Sequence, residues 1–344
     1  MSKRGKLKFI LIVSLIVLVI VFLSRCNEQP IENIQLILKP TAPQISLYPY
    51  IDEEVTLRVA ISNDSIEEMA LEEYLIGVVA AEMPVSFEME ALKAQAVAAR
   101  TFTLRHIPAF SGTPCSSRAD ICTNSSCCQA WRSESDMKKN WGDSYDDNAA
   151  RIENAVAATT GMVITYEGEL IEALYHSSSG GFTEYAQNVF AHAKPYLVGV
   201  SSPDTDYEKS YTFTIDELTE KLNNAFKGAS ITSLKTDLAI LSRYESGRVE
   251  SVRIGKKIVS GRELRQALNL SSAAFSYRYD GKNIIITTKG FGHGVGMSQY
   301  GANAFAENGY TYDEILKHYY KGVSLIDLNT LFDAVNVSNN FFVP

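Results

Sequence analysis

The sequence predicts an α+β fold, with mixed helices and antiparallel hairpins forming a substrate cleft behind an N-terminal transmembrane helix. Three observations carry the prediction. Strand-like and helix-like segments alternate from residue 55 to the C-terminus with no internal repeat. Two β-rich runs each fold about a turn dipeptide, Glu167-Gly168 and Asp280-Gly281, as hairpins do. Several segments of helical period begin at a capping residue and stop at a glycine.

Taken in order, the chain opens on Lys3, Arg4, Lys6 and Lys8, followed by the apolar run "FILIVSLIVLVIVFLS" and then Arg25. Sixteen apolar or small residues suit a short membrane span, a secretory segment or a buried helix. No small-x-small cleavage site follows, and the cations sit where the positive-inside pattern puts them, which favours an uncleaved anchor over residues 1–25. Arg25 is a poor substitute for the small residue that lipoprotein processing needs, so Cys26 reads as a lone cysteine just outside the membrane. Residues 26–50 carry Pro30, Pro40, Pro43 and Pro49 without sustained periodicity and read as an extracytoplasmic linker. Residues 51–344 then form the main domain, long enough to bury a substantial core.

Within that domain "VTLRVAIS" reads as a strand, and "LEEYLIGVVAAEM" and "EMEALKAQAVAARTFTL" as two helices broken at Pro84. "GMVITYEGELIEALYHSS" is the first hairpin and "FSYRYDGKNIIITTKG" the second. "TIDELTEKLNNAF" and "SGRELRQALNL" each begin with a capping box, Thr214 with Glu217 and Ser260 with Glu263. "GMSQYGANAFAEN" and "TYDEILKHYYKG" are closing helices, stopped by Gly309 and Gly322.

Subtracting the five cations of residues 1–25 from the net charge of −8 leaves −13 for the remainder. So acidic a domain is not expected to bind nucleic acid, which demands dense lysine and arginine.

Chemistry concentrates around Pro84. Ser86 is a natural N-cap for the second helix, which would place Glu88 and Glu90 near its positive pole, a structural role worth about 0.3–1 kcal/mol. Glu82 instead ends the preceding helix at its negative pole and shares a face with Leu75, Val78 and Val79. Both conditions raise a carboxyl pKa, as a general acid requires, although a solvated or ion-paired glutamate would also satisfy the sequence. Lys93 and Arg100 lie seven residues apart on an otherwise apolar helix, either as a solvated stripe or as the lining of a polar cleft near Glu82.

Two further segments read as site loops. "HSSSGG" (176–181) ends a strand, and "GFGHGVGMSQYGA" (290–302) gathers glycines around His293 before a helix, which lets backbone approach a ligand. His176 beside Ser177, Ser178 and Ser179 suggests a serine hydrolase, against which stands the missing G-x-S-x-G elbow. The glycine loop matches neither G-x-G-x-x-G nor a P-loop, which argues against phosphate binding. In an exported protein Cys115, Cys122, Cys127 and Cys128 suggest two disulfides. Four thiolates could instead hold structural zinc, although C-x2-C knuckles are missing.

"EYLIGVVAAEMPVSFEMEALKAQAVAARTF", "YHSSSGG" and "GFGHGVGMSQYGANAFAENGYTYDEILKHYY" together resemble the stage II sporulation protein D family over roughly residues 55–330. The resemblance implies a membrane-anchored lytic transglycosylase on the mother-cell side of the engulfing septum. Its substrate would be the MurNAc-GlcNAc bonds of denuded peptidoglycan strands, and its products 1,6-anhydro-MurNAc ends. It implies Glu82 as the catalytic residue and Lys93, Arg100, Ser177, Ser178, His293, Gln299 and Tyr300 as substrate-binding residues. It implies two partners, a SpoIIP-like amidase/endopeptidase and a SpoIIM-like multispanning membrane protein. It also tips the cysteine cluster towards zinc, with two disulfides as the alternative. Some relatives are described as amidase enhancers, so a non-catalytic wall-binding enhancer is the competing reading. A serine esterase resting on Ser177 to Ser179 is a more distant one.

Overall fold

The computed structural model describes residues 55–330 apart from 63, 111, 191, 205 and 206, so the expected anchor and linker lie outside the described residues. Among the described residues no helix is long and apolar enough to cross a membrane. The fold mixes helices with small, mostly antiparallel sheets, in agreement with the predicted class.

The alanine-rich helix Met89–Leu104 is the central element. Its small side chains let helices Leu71–Glu82, Tyr145–Ala157, Gln299–Glu307 and Tyr312–Tyr319, and strand Met162–Tyr166, pack around nearly its whole circumference. Every residue from Ala94 to Thr101 is buried. The N-cap lies two residues later than expected. Glu88, not Ser86, is its N-cap, because Ser86 sits inside a turn closed by the Phe87 N–H to the Pro84 carbonyl at 3.0 Å. Glu90 lies in the first turn as predicted, where it pairs with Lys93 at 2.6 Å and accepts from the Tyr312 N–H at 2.8 Å.

Arg100 is fully buried in this core rather than lining a cleft. Its guanidinium makes a two-pronged pair with Glu72, at 2.8 and 2.6 Å, and donates to the Met162 carbonyl at 3.2 Å. It thus ties three elements of the fold together. Arg100→Met is expected to destabilise the fold by about 3 kcal/mol or more, because Glu72 and the carbonyls of Met162 and Val156 lose their partner. A lowered urea midpoint checks this, whereas a raised KM at unchanged stability would return Arg100 to the substrate.

The first hairpin is present, with left-handed backbone at Glu167 and Gly168 between strands Met162–Tyr166 and Glu169–Leu170. Its return strand is short, and the chain turns away to place Tyr175–His176 in a parallel pair with Met297–Ser298. The second hairpin turns one residue later than predicted. Asp280 pairs with Asn283, so Gly281 and Lys282 form the loop and only Gly281 takes a positive φ. The capping box at Ser260 and Glu263 is complete, while at Thr214 only the threonine hydroxyl accepts, from the Glu217 N–H.

Residues 211 to 286 contain a second hydrophobic core of their own, built on Leu218, Leu222, Leu238, Val252, Ile254, Leu264, Ile284 and Ile286. This lobe is inserted between the two strands of the parallel pair. It therefore projects from the loops that form the site.

Candidate active site

Helix Leu71–Glu82 must end at Glu82, since Pro84 forbids the helical conformation one residue earlier and Met83 is already extended. The Glu82 carboxyl has two fixed partners. Oε1 accepts from the Ala130 N–H at 2.8 Å and Oε2 from the Gln299 amide at 3.1 Å. Ala130 reaches it because residues 129–132 run alongside the helix, with the Arg132 N–H on the Gly77 carbonyl at 3.1 Å. A side chain at Gly77 would come within 2.2 Å of the Trp131 indole, so this helical glycine sets the close approach.

Gln299 is the first residue of helix Gln299–Glu307, whose N-cap Ser298 accepts from the Gly301 N–H. The parallel pairing of Ser298 with His176 fixes its height over the cavity. That pairing needs Gly296, where a Cβ would lie 2.0 Å from the Leu174 carbonyl oxygen at a φ of 74°.

The cavity below Glu82 has a volume of about 340 Å³ and is walled by Tyr175, His176, Ser177, Phe291, His293 and Gln299, among others. Glu82 is the one acidic side chain among its described lining residues. Burial raises the Glu82 pKa, against the two hydrogen bonds that pull it down. Desolvation also holds both imidazoles neutral, His176 well below the ordinary range and His293 at about 4. His293 Nδ1 accepts from the Val295 N–H at 3.0 Å, which leaves its proton on Nε2. His176 Nδ1 donates to the Val295 carbonyl at 3.1 Å, and its Nε2 is buried with no partner among the described residues. The Tyr175 hydroxyl donates to Gln129 at 2.7 Å, and burial keeps that phenol protonated far above neutrality.

Of the residues expected at the substrate, Ser177, His293 and Gln299 share this cavity with Glu82. Ser178 does not. It is fully buried and donates to Asp204 at 2.8 Å, an acceptor that also collects the Ser179 N–H and the hydroxyls of Ser179, Ser202 and Ser298. The serine loop is thus folded onto a buried carboxylate, a network to which the sequence "SSPDTD" gave no pointer. Tyr300 lies outside the described lining, 41% exposed, with its ring edge-on to Phe87 at 5.1 Å. Lys93, engaged with Glu90, is likewise outside it.

Sequence reading missed Gln95, the one polar residue in the run Ala94–Ala99. Its Oε1 lies 3.4 Å from the Gln299 amide nitrogen, and its own Nε2 is buried without a partner. The signal is a polar side chain in the middle of an alanine- and valine-rich helical run.

The four cysteines meet beside the cavity. Cys115 and Cys122 are joined by a turn in which the Cys115 N–H donates to the Asp120 carbonyl at 2.8 Å, while the Asn124 carbonyl accepts from both Cys127 and Cys128. All four sulfurs lie within 4.8 Å of one another, with 3.4 Å between Cys115 and Cys127 and 3.8 Å between Cys127 and Cys128. Tetrahedral zinc with bonds of about 2.3 Å has sulfur–sulfur edges of about 3.8 Å, so the set fits that ion. Ser125 and Cys128 also line the cavity, Cys128 two residues before Ala130.

Comparison with known proteins identifies the family. Residues 61–166 match the family model described as stage II sporulation protein. The chain is 44% identical to stage II sporulation protein D of Bacillus amyloliquefaciens over 273 residues, 78% of each chain. It is 40% identical to the protein of that name in Bacillus subtilis (strain 168) over 276 residues, 79% of each chain. It is also 31% identical to an amidase enhancer of Bacillus subtilis over 306 residues, covering 73% of this chain and 40% of that one. With two such relatives matched over more than three quarters of their length, the chain belongs to the stage II sporulation protein D family.

Proposed function

We propose that the protein is a peptidoglycan lytic transglycosylase of sporulation, held at the membrane by residues 1–25. It would cleave denuded glycan strands beside a SpoIIP-like amidase/endopeptidase and a SpoIIM-like membrane protein. The observation that carries this reading is the single carboxyl in the cavity. A retaining or inverting hydrolase needs a second carboxylate to hold water or form the glycosyl-enzyme, and none lines the described cavity. Transglycosylation needs only one, because the attacking oxygen belongs to the substrate.

Protonated Glu82 donates its proton to the glycosidic oxygen between MurNAc and GlcNAc as that bond breaks. The resulting carboxylate takes the proton of the MurNAc C6 hydroxyl, whose oxygen closes on C1 to form the 1,6-anhydro ring. Glu82 ends protonated again, so no water is consumed. Its partner must then serve two states. In one orientation the Gln299 amide donates to the carboxylate and to Gln95 Oε1. With both amides reversed, Gln299 accepts from the protonated acid and from Gln95 Nε2, the atom otherwise left without a partner.

Because the acid form starts the reaction, kcat/KM falls as pH rises through the Glu82 pKa. Gln299→Leu removes a hydrogen bond that lowers that pKa, so the alkaline limb is expected to move to higher pH while the rate drops by about one to two orders of magnitude. An unmoved limb in the pH profile would separate Gln299 from the acid.

Zinc, bound by Cys115, Cys122, Cys127 and Cys128, would serve structure alone, fixing the chain that leads to Ala130. The amidase-enhancer relative favours a second reading, a wall-binding module without glycan cleavage. That reading predicts full stimulation of a partner amidase by Glu82→Ala, which the transglycosylase reading does not.

A further inference from the structure

The cavity at Glu82 continues into a second one of about 540 Å³, which shares Ser125, Phe291, Gly292 and His293 with it and is otherwise walled largely by the inserted lobe. Its charge is uneven. Arg248 is 2% exposed, donates to the carbonyls of Phe182 and Ser179 at 3.0 Å each, and has a buried Nε without a partner. The buried Glu184 opposes that charge, its oxygens held by Ser246, the Tyr185 N–H and Asn188. Arg262 and Arg265 stand one turn apart on helix Gly261–Leu268, and Glu250, the other acidic residue at these walls, makes no ion pair or hydrogen bond with either among the described residues. Among the described residues neither is in an ion pair. Arg262 donates only to the Val189 carbonyl, and Arg265 only through Nε to the Leu270 carbonyl at 3.2 Å. Burial and the neighbouring Arg262 lower the Arg265 pKa, and Arg265, Arg248 and Arg262 all add to the depression of His293. Two guanidiniums without an ion pair in one cavity of an acidic protein leave charge-assisted donors free for an anionic ligand.

We propose that this second cavity is a carboxylate subsite of the glycan cleft, in which Arg262 and Arg265, backed by Arg248, bind the free lactyl carboxylate of a muramic acid residue beyond the cleaved bond. The proposal rests on the transglycosylase reading for the identity of the ligand. Such a carboxylate exists only where an amidase has removed the stem peptide, since the intact wall carries an uncharged amide there. Phe190 and Phe291, 37% and 42% exposed at the same walls, offer apolar faces to the sugar rings. The lobe would therefore make the enzyme prefer strands already stripped of peptide, by charge recognition rather than by steric exclusion.

The test measures binding of three tetrasaccharides, (GlcNAc–MurNAc)2 with free lactyl carboxylates, its N-methylamide and its peptide-bearing form, to the full chain carrying Glu82→Gln. The acid is expected to bind at least about tenfold more tightly than the methylamide, and 0.5 M salt should erase most of the difference. Adding Arg262→Gln, at an exposed position, or Arg265→Lys should narrow the gap, and Arg262→Gln with Arg265→Gln should close it to within about twofold. Equal binding of acid and methylamide by the parent would overturn the subsite. Tight binding of the peptide-bearing form would assign the arginines to a stem-peptide carboxylate and overturn this source. Cleavage of the acid strand by the chain with Glu82 intact is recorded separately. Carboxylate-dependent binding without cleavage would overturn the transglycosylase reading and leave the subsite standing.

Discussion

Replacing Glu82 with glutamine is expected to reduce release of 1,6-anhydro-MurNAc ends from denuded glycan by about two to four orders of magnitude while leaving the fold intact. The variant keeps the shape of the site. Its amide oxygen still accepts from the Ala130 N–H, and its amide nitrogen donates to a reversed Gln299. It loses only the proton that is transferred. Stability should not fall, and the direction follows from the pKa. Burial raises the folded Glu82 pKa above its ordinary value of 4.5, so the folded chain holds this proton more tightly than the unfolded one. The residue is neutral to stability below the unfolded value and increasingly destabilising as pH rises from there through the folded value. Glutamine does not ionise, so the variant's thermal midpoint at neutral pH should equal or exceed that of the parent. An inactive variant with a lowered midpoint would point to a structural glutamate.

Removing the zinc proposed for the cysteine knot is expected to have the second largest effect. The purified protein should carry about one zinc per chain and four metal-protected thiols in its knot, and chelation should lower the thermal midpoint by on the order of 10 °C. The loss should extend to activity, because Cys128 and Ser125 wall the cavity and the same stretch delivers the Ala130 N–H to Glu82. Cys127→Ser should reproduce the change without chelator. Metal analysis with thiol titration under non-reducing conditions checks this, and two disulfides with no metal would contradict it.

Glu82 was legible in the sequence because a charge at the wrong end of a helix, on an apolar face, is a local anomaly that needs no tertiary knowledge. The glycine loop was legible for a similar reason, since Gly290, Gly292, Gly294 and Gly296 all take positive φ where backbone crowds backbone. Arg100 was misread because a seven-residue spacing shows which residues share a face, not whether that face meets solvent. On a helix buried almost all round, the basic residue had turned inward to Glu72. Ser178 failed differently. A hydroxyl in a loop can serve substrate or scaffold, and the Asp204 acceptor that decides between them lies 26 residues away. The second core was hidden because its strands and helices obey the same local rules as those of the main body. Periodicity locates elements but does not divide them between two interiors.

The central claim is that one carboxyl and the substrate's own C6 hydroxyl complete the reaction. Its most direct test is mass analysis of the products released from denuded glycan in water enriched with oxygen-18. The account predicts 1,6-anhydro-MurNAc ends with no heavy oxygen. Reducing MurNAc ends carrying oxygen-18 would show that water is the nucleophile, and would contradict it.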